Sequence, residues 1–258
     1  MDHFNKIAVD IERVSVHYRI RWNHPTSLKE YAIRWAQRGL DIGYVKAVND
    51  VSLQIHNGKV FAIIGRNGAG KTTLLRVISG IIRPKQGRVR VWGNVVSLLG
   101  VGAGFHFELT GRENTFLYSA ILGRSQAKTE ELFPRIVEFA ELADFIDSPL
   151  RVYSSGMIAR LGFAVAMAEK PDVLLVDEVL HVGDEQFQAK CKARFEEFTA
   201  SGTTVILATH AMSAVRTMCD RAVWLQDGEI EAIGGADEVA GKYQESLKEG
   251  KERLVIRS

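Results

Sequence analysis

At 258 residues, with 46% hydrophobic side chains, the chain is long enough to bury a sizeable core as one domain carrying a subdomain. Its 33 basic and 31 acidic side chains leave a net charge of +2, which excludes a bulk electrostatic pull toward nucleic acid. Two cysteines, Cys191 and Cys219, are too few for a disulfide framework and fit buried thiols in a reducing compartment, and no window approaches the ~20 apolar residues of a membrane span.

The first six residues carry no apolar signal core, so the chain is expected in the cytosol, docked on a membrane partner. Residues 7–20 alternate polar and apolar side chains and predict an edge or half-buried strand. Between Pro25 and Trp35 the pattern turns helical. Ser27 and Glu30 have capping-box spacing, Leu28, Tyr31, Ala32 and Trp35 share one face, and Lys29, Arg34 and Arg38 make the rest basic. Two readings stay open for that helix: docking on a membrane surface or partner, and ordinary packing on its own domain. Residues 47–55 alternate again and lead through Asn57-Gly58 toward the apolar run Val60-Phe61-Ala62-Ile63-Ile64, a buried strand.

That run opens onto Gly65, Arg66, Asn67, Gly68, Ala69, Gly70, Lys71, Thr72 and Thr73, a G-x-x-x-x-G-K-[ST] loop before a helical pattern. The chemistry dictates the residue types. The three glycines let backbone N–H groups curl around the β- and γ-phosphates of a nucleoside triphosphate, Lys71 adds a positive charge there, and Thr72 offers a hydroxyl to Mg²⁺. The helix that follows directs its N-terminal dipole at the same phosphates.

Residues 89–93 predict a short strand, and residues 112–122, 129–141 and 155–169 carry apolar side chains at helical spacing. They form a helical subdomain over about residues 105–170. After Pro171, strands (173–176, 203–208, 222–225) alternate with helices (185–199, 212–218), which implies a largely parallel sheet with helical crossovers, and residues 237–249 read as one more amphipathic helix before a short mixed-charge end. Val173-Leu174-Leu175-Val176-Asp177-Glu178 ends a buried strand in two carboxylates at the sheet edge where α/β proteins bind ligands. Asp177 is expected to hold Mg²⁺ through its water shell, and Glu178 to orient the attacking water.

Tyr153-Ser154-Ser155-Gly156-Met157, some twenty residues earlier, resembles the signature sequence of ATP-binding-cassette (ABC) ATPases, with Ser154 and Gly156 matching its serine and second glycine. The resemblance covers nearly the whole chain. It implies an α/β P-loop NTPase of the ABC ATPase fold, with a RecA-like parallel-sheet core, an antiparallel β subdomain and the inserted helices. It also implies a homodimer in which Ser154 and Gly156 face ATP on the opposite subunit. By the same resemblance His210, after the β-branched strand, is the switch histidine at the γ-phosphate. Asp184 belongs to the loop that couples the two sites, and Tyr18 stacks on adenine, with Tyr44 a weaker match.

Residues 102–105 and 108–114, the signature, Asp177-Glu178-Val179-Leu180, Val182-Gly183-Asp184 and residues 187–191 are similar to one branch, the ATPase subunits of O-antigen, capsule and teichoic-acid exporters. This implies a peripheral ATPase at the cytoplasmic face of the inner membrane, driving a permease dimer that moves a lipid-linked polysaccharide. Two departures stand out. The segment Ser97-Leu98-Leu99-Gly100-Val101-Gly102 lacks the glutamine most relatives carry there, and the signature has Ser155 and Met157 in place of glycine and glutamine. No strand series follows Gly235, so a C-terminal glycan-reading domain is expected to be lacking or cut away. Export of a drug, lipid or peptide is the nearest alternative. A soluble nucleic-acid-binding cassette is disfavoured by the balanced charge, and a degenerate regulatory cassette by the presence of both Glu178 and His210.

Overall fold

The computed structural model describes residues 6–21, 42–177 and 183–255. The basic amphipathic helix expected between Pro25 and Trp35, and Glu178, lie outside the described residues.

Two sheets organise the described residues. β1 (Ile7–Arg21) is flanked by β2 (Ile42–His56) and β4 (Gln86–Val91), both antiparallel to it, in the order β2-β1-β4. β1 is therefore half-buried as its alternation predicts, but it is the central strand and not an edge. Val9, Ile11, Val14 and Val16 face the core. The register slips between Ile11 and Val14, where Arg13 (φ 48°) and its neighbour across the ladder, Asp50 (φ 51°), take left-handed conformations. The second sheet has six strands in the order β5-β6-β7-β3-β8-β9, comprising β3 (Val60–Ile64), β5 (Val95–Ser97), β6 (Val173–Asp177), β7 (Thr204–Ala208), β8 (Arg221–Gln226) and β9 (Glu229–Gly235). All neighbours are parallel except β8 and β9. β3 and β7 are buried along their whole length, which is why they read in the sequence as unbroken apolar runs.

Strands β5 and β9 are absent from the sequence reading, and β4 begins three residues earlier than expected. The turn Asn57-Gly58 joins β2 to β3, yet these strands lie in different sheets, so it is a crossing between layers and not a hairpin.

α1 (Lys71–Ile78) lies between the sheets, its Leu74, Leu75, Val77 and Ile78 sharing a core with Val9 and Ile11 of β1 and with Phe61 and Ile63 of β3. α2 (Gly111–Ile121), α3 (Gln126–Ala140) and α4 (Ser155–Ala166) make the helical subdomain. α2 starts with a reciprocal cap: Thr110 Oγ1 accepts from the Glu113 amide, and Glu113 accepts from the Thr110 amide at 2.8 Å. α5 (Glu185–Ala200), α6 (Met212–Met218) and α7 (Ala236–Val255) pack the rest of the sheet, with α7 longer than the sequence pattern suggests. Cys191 is buried; Cys219, expected to be, is only partly so. Among the described residues no helix is long and apolar enough to cross a membrane.

Candidate nucleotide site

Strand order sets the site. β3, β7 and β6 are parallel neighbours, so the loop after β3, Thr209 and His210 after β7, and Asp177 at the end of β6 all emerge at one sheet edge. Thr209 ties two of these ends together, its amide donating to the Ile63 carbonyl at 3.2 Å. His210 follows, exposed at that edge.

The phosphate loop needs its glycines for different reasons. Gly65 (φ 149°) lies against the Leu225 carbonyl, which an added Cβ would meet at 2.3 Å, and Gly70 (φ 103°) against the Ala47 carbonyl, at 2.2 Å. Gly68 (φ 83°) has open space, so it needs glycine for conformation alone. Outside the loop, the Gly228 amide of the β8–β9 turn donates to Ala69 O at 3.2 Å, and its carbonyl accepts from the Asn49 amide at 2.8 Å. The loop is thus seated on β2 and on that turn, contacts that the sequence motif does not reveal.

Within the cradle the buried Lys71 Nζ donates to the carbonyls of Gly65 (2.8 Å) and Arg66 (3.1 Å), which stretches it back over the curled loop. Thr72 Oγ1 donates to Asp177 Oδ2 at 2.8 Å. A cleft of about 640 Å³ is lined by Ala47, Asn67, Gly68, Gly70, Lys71, Thr72, Thr73 and Asp177. A hydroxyl and a carboxylate oxygen in contact beside a positive charge are the hard-oxygen donor set that suits Mg²⁺, a cation that takes few protein ligands and shares the phosphate oxygens of its nucleotide. The expected metal pair, Thr72 and Asp177, is therefore brought together by the fold and fits the ion.

Tyr18 OH lies 3.4 Å from Thr73 Oγ1, which sets the ring beside the start of α1. Tyr44 is one residue out of step across the β1–β2 ladder, opposite Arg19, so it points to the other face, where Lys85 lies 5.6 Å from its ring. Of the two aromatic candidates, only Tyr18 adjoins the cleft.

Ser154 and Gly156 do not line this cleft. Ser154 caps α4 by accepting from the Met157 amide at 3.2 Å and is exposed, as is Ser155. Asp184 caps α5, its Oδ1 accepting from the Phe187 amide at 2.9 Å, and its other oxygen pairs with Arg160 of α4. The Phe187 amide foremost, and then Arg160, hold its carboxyl below the ordinary carboxylate range. Arg160 is absent from the sequence reading, because nothing in its local spacing marks it. The fold alone brings it to Asp184.

Comparison with known proteins agrees with this geometry. Residues 48–181 match the ABC transporter family. The chain is 46% identical over 201 residues to the O-antigen export system ATP-binding protein RfbB of Klebsiella pneumoniae, covering 78% of this chain and 82% of the relative. It is 39% identical over 242 residues to the teichoic acids export ATP-binding protein TagH of Listeria monocytogenes, covering 94% and 71%. Among solved structures, the ATP-binding subunit of an ABC transporter aligns with a TM-score of 0.69 at 22% identity over 92% of this chain and 93% of that one. A dimeric ATP-binding cassette in a post-hydrolysis state with ADP and Pi aligns at 0.66 and 21% identity, covering 88% and 98%. The chain belongs to the ABC transporter family and is an ABC-type ATPase.

Proposed function

We propose that this chain is the ATP-hydrolysing subunit of an exporter of a lipid-linked polysaccharide, acting as a homodimer at the cytoplasmic face of the inner membrane beneath a permease dimer. For the chemistry, the observation that carries the reading is the 2.8 Å contact between Thr72 and Asp177 beside Lys71 in one cleft. For the cargo, support comes from the likeness to RfbB and TagH, which extends over most of this chain.

In this reading the loop amides and Lys71 bind the β- and γ-phosphates. Lys71 exchanges its contacts with the Gly65 and Arg66 carbonyls for phosphate oxygens, a switch from neutral acceptors to charged ones. Thr72 and Asp177 hold Mg²⁺, which when bound offsets the charge that builds on the phosphate oxygens. Glu178, next in the chain, orients the attacking water, and His210 contacts the γ-phosphate. Tyr18 supports the adenine. The exposure of Ser154 at the start of a 12-residue helix suits a role toward a second subunit's nucleotide, since its hydroxyl and the first amides of α4 have no phosphate of their own chain to meet. Catalysis is then positional and electrostatic.

The experiment is phosphate release by the purified chain with ATP, with and without Mg²⁺, for the parent, Lys71→Ala and Glu178→Gln. The reading requires Mg²⁺-dependent turnover that both substitutions abolish, with Glu178→Gln still binding ATP and accumulating as a dimer. Turnover by Glu178→Gln at the parent rate would remove Glu178 from the mechanism. The cargo is tested by reconstituting the chain with its permease: a lipid-linked glycan that leaves the ATPase rate unchanged contradicts polysaccharide export.

A further inference from the structure

Arg160 lies six residues after Ser154, about 9 Å along the axis of α4. Its side chain is only 19% exposed, and its guanidinium sits 5.1 Å from the Phe187 ring, which itself packs edge-on against Phe139 and Phe163. One arm donates to Glu141 Oε2 at 3.1 Å, and the other meets Asp184 Oδ2. Glu141 is the C-cap of α3, in a left-handed conformation (φ 57°), and is also paired with Lys190 of α5. One half-buried cation thus joins three elements: the signature helix, the end of α3 and the turn before α5.

The two oxygens of Asp184 have separate partners, Oδ1 the Phe187 amide and Oδ2 Arg160, which fixes the carboxyl against α4 although its side chain is 59% exposed. The far end of α4 is fixed separately. Arg124 donates to the carbonyls of Val165 (2.6 Å) and Ala166 (3.2 Å), and Arg194 to those of Met167 (3.2 Å) and Ala168 (3.4 Å). Those contacts hold the helix to the subdomain and the core, where cations also suit its negative end. Nearer the helix start, the Arg160 ion pair joins Asp184 itself to α4, beside the edge-on contact of Phe187 with Phe163.

We propose that Arg160 is a positioning residue for ATP turnover, whose ion pair locks the Asp184 turn to the signature helix so that Ser154 and Asp184 are presented to the second subunit's nucleotide as one rigid unit. This rests on the reading above that Ser154 acts in trans, and on the expectation that Asp184 belongs to the loop coupling the two sites. A purely structural Arg160 would change the folded fraction. A positioning Arg160 changes the turnover of folded dimers and leaves nucleotide binding in its own cleft as it was.

The test measures kcat and KM for ATP at saturating protein concentration in the full chain for Arg160→Gln, Arg160→Lys, Asp184→Asn and the Arg160→Gln/Asp184→Asn pair, with Ser154→Ala alongside. The expected result is a kcat lowered about tenfold by Arg160→Gln and similarly by Asp184→Asn, with KM within about twofold of the parent. The double variant falls no lower than the worse single one, because both remove one contact, and Arg160→Lys recovers part of the loss. Parent-like kcat in Arg160→Gln, a KM that rises in proportion, or additive losses in the pair overturn the proposal. Should Arg160→Gln fail to fold, the exposed Asp184→Asn decides it, and parent-like kcat there is equally fatal. Ser154→Ala separates the two levels. If it loses kcat while the Arg160 and Asp184 variants keep theirs, the positioning role falls and the trans reading stands. If it keeps the parent kcat, the trans reading falls and the proposal with it.

Discussion

Replacing Gly68 and Gly70 separately by alanine distinguishes conformational strain from steric exclusion in one loop. Both residues line the cleft and both have positive φ, 83° and 103°, so each alanine pays the penalty of an L-residue in that region, about 1 to 2 kcal/mol. At Gly68 the new methyl meets nothing within 4 Å, and that penalty is the whole cost. At Gly70 it arrives 2.2 Å from the Ala47 carbonyl oxygen, which is backbone and cannot rotate away. The loop must lift from β2, adding about 1 to 3 kcal/mol of overpacking. At roughly 2 to 4 °C per kcal/mol for a chain of this size, Gly68→Ala lowers Tm by about 2 to 8 °C and Gly70→Ala by about twice that. The assay is thermal unfolding followed by circular dichroism without nucleotide. Equal shifts, or a larger one in Gly68→Ala, would refute the view that β2 seats the loop.

Thr72→Val, which keeps the shape and removes the hydroxyl, is expected to lower Mg²⁺-dependent turnover at least about tenfold, about 1.4 kcal/mol of barrier, while ATP binding measured in EDTA stays near the parent value. Thr110→Ala removes the reciprocal cap of α2 at a cost of about 0.5 to 2 kcal/mol, read as a denaturant midpoint shifted at constant slope; a changed slope would mean a different unfolding unit. The amide and hydroxyl of Thr110 hold the Glu113 carboxyl below the usual range, so the stability it contributes is present at neutral pH and lost as pH falls through that lowered value. Glu113→Gln should flatten this acid limb, and an unchanged limb contradicts the cap. Burial pushes the Cys191 and Cys219 thiols up from 9.0 to about 12, so the folded chain withholds an ionisation that the unfolded chain undergoes, and stability falls between those pH values. Paired Cys191→Ala and Cys219→Ala substitutions should reduce that fall; an identical alkaline limb contradicts the burial.

What the sequence made legible follows from how many neighbours each feature needs. β3 and β7 read as apolar runs because helices and the three-stranded sheet bury both faces, and the phosphate loop reads as a motif because backbone curling allows little but glycine. β9 is absent from the sequence reading although Asp227 (φ 51°) and Gly228 (φ 84°) form a hairpin turn signalled by their residue types, because its half-exposed alternation over seven residues carries a weak pattern. β5, three residues long, carries too little pattern to be read. In the site, the sequence expects Thr72 and Asp177 to serve one Mg²⁺, since each belongs to a local motif following β3 or ending β6, two strands separated in the sheet only by β7; their direct contact is a finding of the structure. The seat of Gly70 on Ala47 and the grip of Arg160 on Asp184 have no such local motif behind them. Each depends on a carbonyl or a carboxylate delivered by a different element, and neither residue type announces such a partner. Of the two alternatives for β1, edge or half-buried, the edge alternative falls for the same reason, because its second neighbour, β4, begins some sixty residues later in the chain.

In the proposed mechanism two copies of this chain share each hydrolysis site, so the deciding measurement is the specific ATPase activity of the purified chain against its own concentration, beside Ser154→Ala. Activity per molecule is expected to rise with concentration toward a plateau and to collapse in the variant. Activity flat with concentration and indifferent to Ser154 would make this a monomeric P-loop ATPase and overturn the shared site.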